Sequence, residues 1–171
     1  MQINLAFALA FFNMIGTRAS RVLVVLYALR LDAQPVTIGG QPYAVIGLGS
    51  GGRNLEAGTP DLPHVARSVI IPNDGQMAVA VTASSFYDVP DMWVAPSKGN
   101  LSRTVNPDDV PFEFGPVYST DAFYPSELVS LADPYIMRDV RGQVVTVNPI
   151  QYIPVTHVLR VYTAMIVEVT T

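Results

Sequence analysis

The sequence contains no cysteine and only two histidines, His64 and His157. Without thiols the chain can form neither a disulfide nor a thiolate metal site, and it has no cysteine nucleophile. Two histidines are too few for a metal site built from three imidazoles. Basic residues are also scarce, with ten Lys and Arg against fourteen Asp and Glu, and they form no basic stripe. We therefore predict no metal, no cofactor and no nucleic-acid partner.

Long hydrophobic runs are missing as well. The two apolar runs near the N-terminus, Leu5–Phe12 and Val22–Leu29, are each far shorter than the roughly 20 residues that a membrane-spanning helix needs. Arg18 and Arg21 stand between them, and joining the runs into one span would place both guanidinium groups in lipid. The sequence therefore predicts no membrane span.

The N-terminal segment, residues 1–21, is predicted to be a leader or an unassigned stretch. A start at Met14 would put two arginines before the run Val22–Leu29, as in a signal peptide, but the following Arg30 and Asp32 make a poor cleavage site. The pattern favours a β-strand for Val22–Leu29. We accordingly predict one domain over residues 22–171.

Half of the residues are hydrophobic, which is enough for a sizeable core, and fourteen prolines and twelve glycines are spread along the chain. They separate short β-type runs, and helical periodicity is nearly missing. This pattern predicts an all-β domain, a mostly antiparallel β-sandwich of jelly-roll-like type. Leu159–Val167 alternates cleanly, so we predict a strand with Leu159, Val161, Thr163, Met165 and Val167 on its core face.

Local turn patterns give finer predictions. Gly39-Gly40 between two β-type runs indicates a tight hairpin, and Pro72–Gly75 indicates a second one. Ser126–Leu131 is compatible with a single short helical turn. The longest stretch without any strand pattern is residues 96–111, and a loop of this length in a compact domain is more often functional than idle.

No pattern of residues indicates an enzyme. Gly47–Gly52 comes nearest to a nucleophile elbow, but it lies at a predicted hairpin corner, whereas an elbow lies at a turn from a strand into a helix. The same missing helix argues against a nucleotide fingerprint. Trp93 and the eight tyrosines are scattered along the sequence, so we interpret them as packing residues.

Two groups of arginines remain as candidates. Arg103, flanked by Ser102 and Thr104 in the long loop, is either a solvated loop residue or a ligand for an acidic pocket such as the specificity site of an arginine-specific protease. The second group lies at a predicted connection between two strands and consists of Arg138, Asp139, Arg141 and Gly142. We predict a structural turn there, fixed by a local ion pair, with partner binding as the alternative.

Long, ordered blocks of this sequence resemble the propeptide of gingipain-type cysteine peptidases, family C25. The likeness covers roughly residues 55–169, with a weaker extension back to about residue 22. The blocks that carry it are Gly58–Pro60, Leu62-Pro63, Arg67-Ser68, Ala95–Gly99, Ser102-Arg103, Asn106–Asp108, Pro111-Phe112, Gly115, Phe123–Pro125, Asp133–Ile136, Arg138–Val145, Gln151-Tyr152, Pro154–Thr156 and Leu159–Thr163.

The resemblance implies a β-sandwich prodomain that inhibits a gingipain-like cysteine peptidase, in cis or in trans, and assists its folding. The chain itself would not be an enzyme. In arginine-specific members a loop arginine fills the specificity pocket, and Arg103 matches that position here, with Ser102 and Thr104 beside it. Its exposure also makes Arg103 the expected processing site. The implied location is secreted: periplasm, cell surface or extracellular space.

Two alternatives stay open at the level of sequence. One is a secreted structural or interaction β-sandwich module without inhibitory function, for which an exposed aromatic platform would be the expected sign. The other is a fragment of a truncated gene, because the sequence ends at Thr171, just after the last matching strand.

Overall fold

The structure is a computed structural model, and it describes residues 8–14, 21–27, 31–49 and 51–170 of the chain. These residues form β-strands and two short 3-10 turns, Pro107–Asp109 and Pro116–Ser119. The strands are β1 (Ala8–Met14), β2 (Arg21–Tyr27), β3 (Leu31–Ile38), β4 (Gln41–Leu48), β5 (Gly52–Arg53), β6 (Pro63–Ile70), β7 (Ala78–Val89), β8 (Val129–Leu131), β9 (Tyr135–Met137), β10 (Val140–Val147), β11 (Ile150–Ile153) and β12 (Val158–Thr170).

The strands pair antiparallel in two five-stranded sheets and one separate hairpin. In the first sheet the long strand β12 pairs with β7 along one edge and with β2 and β11 along the other, while β1 continues from β2. In the second sheet β10 pairs with β6 along one edge and with β8 and β9 along the other, and β5 pairs with β6. The predicted all-β, antiparallel class is confirmed.

The two sheets pack against each other through apolar side chains. Val145 and Val147 of β10 join Met165 and Val167 of β12 in one buried cluster. A second cluster, around Ile46, Leu62, Val94, Ile150 and Leu159, lies where β4, the start of β6 and the residues after β7 meet. Val94 belongs to the second cluster, and the long loop predicted for residues 96–111 begins two residues after it.

The alternation predicted for β12 holds with one exception. Leu159, Val161, Met165 and Val167 are buried, but Thr163 is only half-buried. The register between β12 and β7 shifts between Tyr162 and Ala164, so Thr163 lies at a bulge where the regular alternation is interrupted.

The hairpin at Gly39-Gly40 forms as predicted. Both glycines have positive φ, 58° and 85°, and they join β3 to β4 as a two-residue turn with Ile38 paired to Gln41. The predicted strand at Val22–Leu29 is confirmed as β2 for Arg21–Tyr27. The predicted leader, residues 1–21, lies largely outside the described residues, and its assignment stays a prediction.

Two local predictions are wrong. Pro72–Gly75 does not close a hairpin, because β6 pairs with β10 in one sheet and β7 pairs with β12 in the other. The segment therefore crosses between the sheets. Ser126–Leu131 makes no helical turn, because Val129–Leu131 pairs with β10 as β8.

Candidate functional site

The long loop predicted for residues 96–111 is held firmly where it leaves the core. Ser97 is only 4% exposed. Its backbone N–H donates to the carbonyl of Thr59 at 2.7 Å, and its own carbonyl accepts from the N–H of Gly58 at 2.9 Å. The Ser97 Oγ donates to the carbonyl of Asn54 at 3.0 Å and accepts from the N–H of Gly99 at 3.1 Å. The loop therefore starts from a fully hydrogen-bonded stem.

A second set of contacts closes the loop on itself. The Lys98 Nζ donates to the carbonyl of Pro107 at 2.6 Å and lies 4.2 Å from the centre of the Phe112 ring. The Asn106 Oδ1 accepts from the N–H of Asp108 at 3.2 Å and caps the 3-10 turn Pro107–Asp109. Both ends of the loop are thus fixed, and the residues between them project outward.

Arg103 lies at the tip of this loop, in a β-turn. The N–H of Val105 donates to the carbonyl of Ser102 at 3.0 Å, which makes Arg103 the second residue of the turn. The hydroxyls of Ser102 and Thr104 lie 3.1 Å apart on either side of it. Residues 102–109 are all exposed, and among the described residues nothing pairs with the Arg103 guanidinium.

The geometry of the loop tip is suited to binding a partner. A guanidinium is a planar, permanently charged fork that matches a carboxylate. A tip held by a rigid stem loses little conformational entropy when a partner takes it up. Within the described part of the chain, no three His, Cys, Asp or Glu side chains lie close enough together to hold a metal ion.

The residues Arg138–Gly142 form the tight hairpin between β9 and β10, in which Met137 pairs with Val140. Arg138 has a positive φ of 58° and is exposed. The predicted ion pair within this turn is not found among the described residues; Arg53 pairs instead with Asp61, and Arg160 with Asp88, both at 2.8 Å.

Arg141 contacts the connection between the two sheets. Its Nη1 donates to the carbonyls of Pro72, Asn73 and Gly75 at 3.1, 3.0 and 2.6 Å. A Cβ on Gly142 would come within 2.6 Å of the exposed Tyr135 ring, so a larger residue at this position would require that ring to move. These contacts hold the β9–β10 hairpin to the segment Pro72–Gly75.

Neither histidine belongs to a catalytic arrangement. His64 lies in β6, and its ring packs against Gly52. His157 has a positive φ of 54°, its Nδ1 lies 3.2 Å from the Tyr152 hydroxyl, and its ring stacks on Trp93 with the ring centres 3.8 Å apart. His157 is therefore half-buried and packed, whereas a surface turn residue would stand free in solvent.

The aromatic residues are scattered along the sequence, but several of them pack together in space. Five rings from four parts of the chain meet beside the long loop, and we call them the aromatic cluster: Tyr43, Trp93, Phe114, Tyr118 and His157. Tyr43 touches both Trp93, at 5.5 Å and 88°, and Phe114, at 5.4 Å and 50°. One feature of the sequence could have revealed it, because Trp93 and Phe114 flank residues 96–111 on both sides.

Tyr118 fixes one end of this cluster. Its hydroxyl donates to the carbonyl of Val94 at 2.9 Å, and its ring meets Phe114 at 4.8 Å. Burial raises the pKa of Tyr118 well above the ordinary value of tyrosine, and the neighbouring tyrosines and Asp61 act in the same direction. The Tyr118 phenol therefore stays neutral and keeps donating this hydrogen bond at alkaline pH.

Among the residues that the structure describes, no helix has the length and apolar character needed to cross a lipid bilayer.

Comparison with known proteins gives a consistent result. A model of the family described as Propeptide_C25 matches residues 19–171. The chain is 48% identical over 114 residues to gingipain R2 and 44% identical over 119 residues to gingipain R1, both from Porphyromonas gingivalis. It is 28% identical over 120 residues to Lys-gingipain of the same organism. The alignments span 67–69% of this chain but only 7–16% of the relatives.

Solved structures give the same match. The chain superimposes on the complex of Porphyromonas gingivalis RgpB pro- and mature domains with a TM-score of 0.85 and 38% identity, covering 94% of this chain and 82% of the matched chain. A structure concerned with the zymogenic latency of gingipain K from the same organism matches with a TM-score of 0.74 and 21% identity, and it supports the fold alone.

Proposed function

Since the chain belongs to the Propeptide_C25 family, we propose that it inhibits a gingipain-like cysteine peptidase by placing Arg103 in the specificity pocket of the catalytic domain. The domain itself is a non-catalytic propeptide of the gingipain type. The inhibitory contact, its partner and the role of Arg103 are the proposal.

The observation that carries the proposal is the contrast between the loop tip and its stem. Ser97 is buried and makes four hydrogen bonds, while Arg103 is exposed and its guanidinium is unpaired among the described residues. A tip that is already ordered can enter a pocket without the entropy loss of a flexible peptide. A carboxylate at the pocket floor would then bind the guanidinium with two parallel hydrogen bonds.

The comparisons favour a partner that accepts arginine. Identity is 48% with gingipain R2 and 44% with gingipain R1, against 28% with Lys-gingipain. The matched complex pairs the pro- and mature domains of RgpB, which supports a catalytic domain as the binding partner. That domain would act on the propeptide either from the same polypeptide or as a separate chain.

Three further properties belong to the same proposal. The domain would assist folding of the catalytic domain, because a bound surface stabilises only the native partner. It would act where the gingipain-type peptidases act, in the periplasm, at the cell surface or outside the cell. The peptide bond after Arg103 would be the first to be cut when the inhibitor is removed, because it is exposed at a turn.

The test is an inhibition constant against an arginine-accepting C25 catalytic domain, measured for the wild type, Arg103→Ala and Arg103→Lys. Losing one partner of a buried charge pair costs about 2–5 kcal/mol, so we expect Arg103→Ala to weaken inhibition by roughly 30-fold or more. Lysine should rescue only partly, because an ammonium group cannot form the planar fork.

Arg138→Ala is the matched control, since Arg138 is also an exposed turn arginine without a partner among the described residues. It should inhibit like the wild type. If Arg103→Ala and Arg138→Ala both inhibit like the wild type while folded, the contact lies elsewhere on the domain and Arg103 is an ordinary solvated residue.

A further inference from the structure

We propose that the aromatic cluster is a second docking surface for the catalytic domain, continuous with the Arg103 loop and separate from the specificity pocket. This inference rests on the proposed function, because it assumes that the loop is occupied by that partner. It adds where the rest of the affinity comes from.

The aromatic cluster lies at the base of the loop, because the residues directly before and after the loop belong to it. Trp93 precedes the buried residues Val94 and Ala95 that lead into the loop, and Phe114 follows where the chain returns. Tyr43 touches both rings and closes the gap between the two ends. A partner that takes up the loop tip therefore meets this surface next.

Trp93 and Phe114 are exposed although they are large and apolar, at 40% and 44%. Contiguous exposed apolar surface usually marks an interaction site, and aromatic residues and arginine are the types that contribute most binding energy at protein interfaces. Here Trp93, Phe114 and the exposed Arg103 belong to one continuous segment, residues 93–114, which is interrupted by the 3-10 turn Pro107–Asp109.

The rings are also held rigidly. The carbonyl of Trp93 accepts from the N–H of Ala44 at 2.7 Å, and its ring stacks on His157. Gly115, directly after Phe114, donates its N–H to the carbonyl of Gly58 at 2.8 Å. Gly58 has a positive φ of 80°, and a Cβ on Gly115 would come within 2.8 Å of that carbonyl, so the two glycines allow this close approach. Rings fixed in this way lose little entropy on binding.

The ring geometry favours a protein over a carbohydrate as the occupant. The contacts of Tyr43 with Trp93 and Phe114, and of Phe114 with Tyr118, have interplanar angles of 88°, 50° and 81°. One face of the Trp93 indole is already covered by His157. The surface therefore presents edges and gaps that fit an irregular apolar protein surface, and it lacks the flat shelf on which a sugar ring stacks.

A second exposed apolar patch on the domain provides a control. Ile70 and Ile136 are 80% and 77% exposed and lie at the far end of β6 and in β9. Ile70 is seven residues from Pro63, which puts it roughly 23 Å along the strand from the region of the loop stem. This patch has no continuity with the Arg103 loop.

The test is the dissociation constant of the 171-residue chain from an arginine-accepting C25 catalytic domain whose nucleophilic cysteine is replaced by alanine, so that the loop is not cut. The variants are Trp93→Ala, Phe114→Ser and Ile136→Ser, each with Arg103 intact and with Arg103→Ala. We expect the Trp93 and Phe114 variants to bind at least tenfold more weakly in both backgrounds, and Ile136→Ser less than about twofold.

The outcomes separate the two proposals. If the Trp93, Phe114 and Ile136 variants all bind as tightly as the protein without these substitutions, in both backgrounds, the docking surface is refuted even when Arg103→Ala weakens binding. If the aromatic variants weaken binding but Arg103→Ala does not, the pocket role of Arg103 fails and the docking surface stands. If the wild type binds a glycan on an array and Trp93→Ala loses that binding, while Trp93→Ala binds the catalytic domain like the wild type, the surface is a carbohydrate site. If the wild type forms no complex, both proposals fail. Phe114→Ser decides if Trp93→Ala does not fold.

Discussion

The arginines of this chain show that one residue type carries several roles, and that the contacts distinguish them. Arg141 donates to three backbone carbonyls of the segment that crosses between the sheets, and Arg160 pairs with Asp88 through two hydrogen bonds of 2.8 Å. Arg103 has no such partner in the described part of the chain. Since proteins usually pair or pack the long arginine side chain, an unpaired one on an ordered turn is available for a partner.

The three carbonyl contacts of Arg141 predict a measurable effect on stability. Arg141→Ala removes a charged donor from Pro72, Asn73 and Gly75, and we expect it to lower the free energy of unfolding by about 1–2 kcal/mol. Arg138→Ala, in the turn of the same hairpin, should change the free energy of unfolding by less than about 0.5 kcal/mol. Urea unfolding of both variants is the measurement, and equal effects would show that the contacts of Arg141 contribute nothing.

The raised pKa of Tyr118 predicts a loss of stability at alkaline pH. The unfolded chain ionises this phenol near pH 10, while burial keeps it neutral in the folded state. Its contribution is therefore complete below about pH 10 and decreases as the pH rises further. We expect the Tm to fall as the pH rises above about 10, and to fall less in Tyr118→Phe. The same fall in both proteins would assign the effect to other groups.

At the scale of elements, the sequence predicts what is decided locally. Gly39-Gly40 forms its hairpin because two adjacent glycines accept positive φ, and β12 is recognisable from its alternation. The long loop is recognisable because no strand pattern occurs in it. Pro72–Gly75 looks equally like a hairpin, but its flanking strands find partners more than 60 residues away, which no local pattern encodes.

The candidate site was predictable to the same degree. Arg103 and its loop come from the sequence and the family resemblance, while the aromatic cluster does not. Tyr43 reaches Trp93 only because Ala44 pairs with Val94 across the domain. Phe114 reaches Tyr43 only because the chain returns from the loop to the same place. Contacts of this kind depend on tertiary pairing, so the sequence shows only that Trp93 and Phe114 flank the loop, and it does not show that Tyr43 meets both rings.

The stem of the loop predicts a coupling between stability and inhibition. Ser97→Ala removes the hydroxyl that joins Asn54 to Gly99 and leaves both backbone groups unpaired, at a cost of about 1–2 kcal/mol. A looser stem orders the tip less, so the inhibition constant should rise as well. Ser102→Ala, in the exposed turn, is the control and should leave stability unchanged. If Ser97→Ala is less stable but inhibits as well as the wild type, the order of the stem does not matter for binding.

At the scale of the whole molecule, two packed antiparallel sheets carry one long loop and one aromatic surface on the same end. The first sheet contributes β12 to the core between the sheets. Val94, which lies just before the loop, is buried in the second cluster. The chain spans 7–16% of the length of the gingipains it matches, so it corresponds to a small part of such proteins. In the proposed function, the sheets are a rigid support for the Arg103 loop.

The position of the Arg103 side chain in a complex with an arginine-accepting C25 catalytic domain tests the central claim most directly. A crystal structure of that complex is the measurement. We predict that the guanidinium lies in the specificity pocket and makes two hydrogen bonds of about 2.7–2.9 Å to a carboxylate, with the loop stem unchanged. A complex in which Arg103 remains in solvent and another segment fills the pocket would contradict the account.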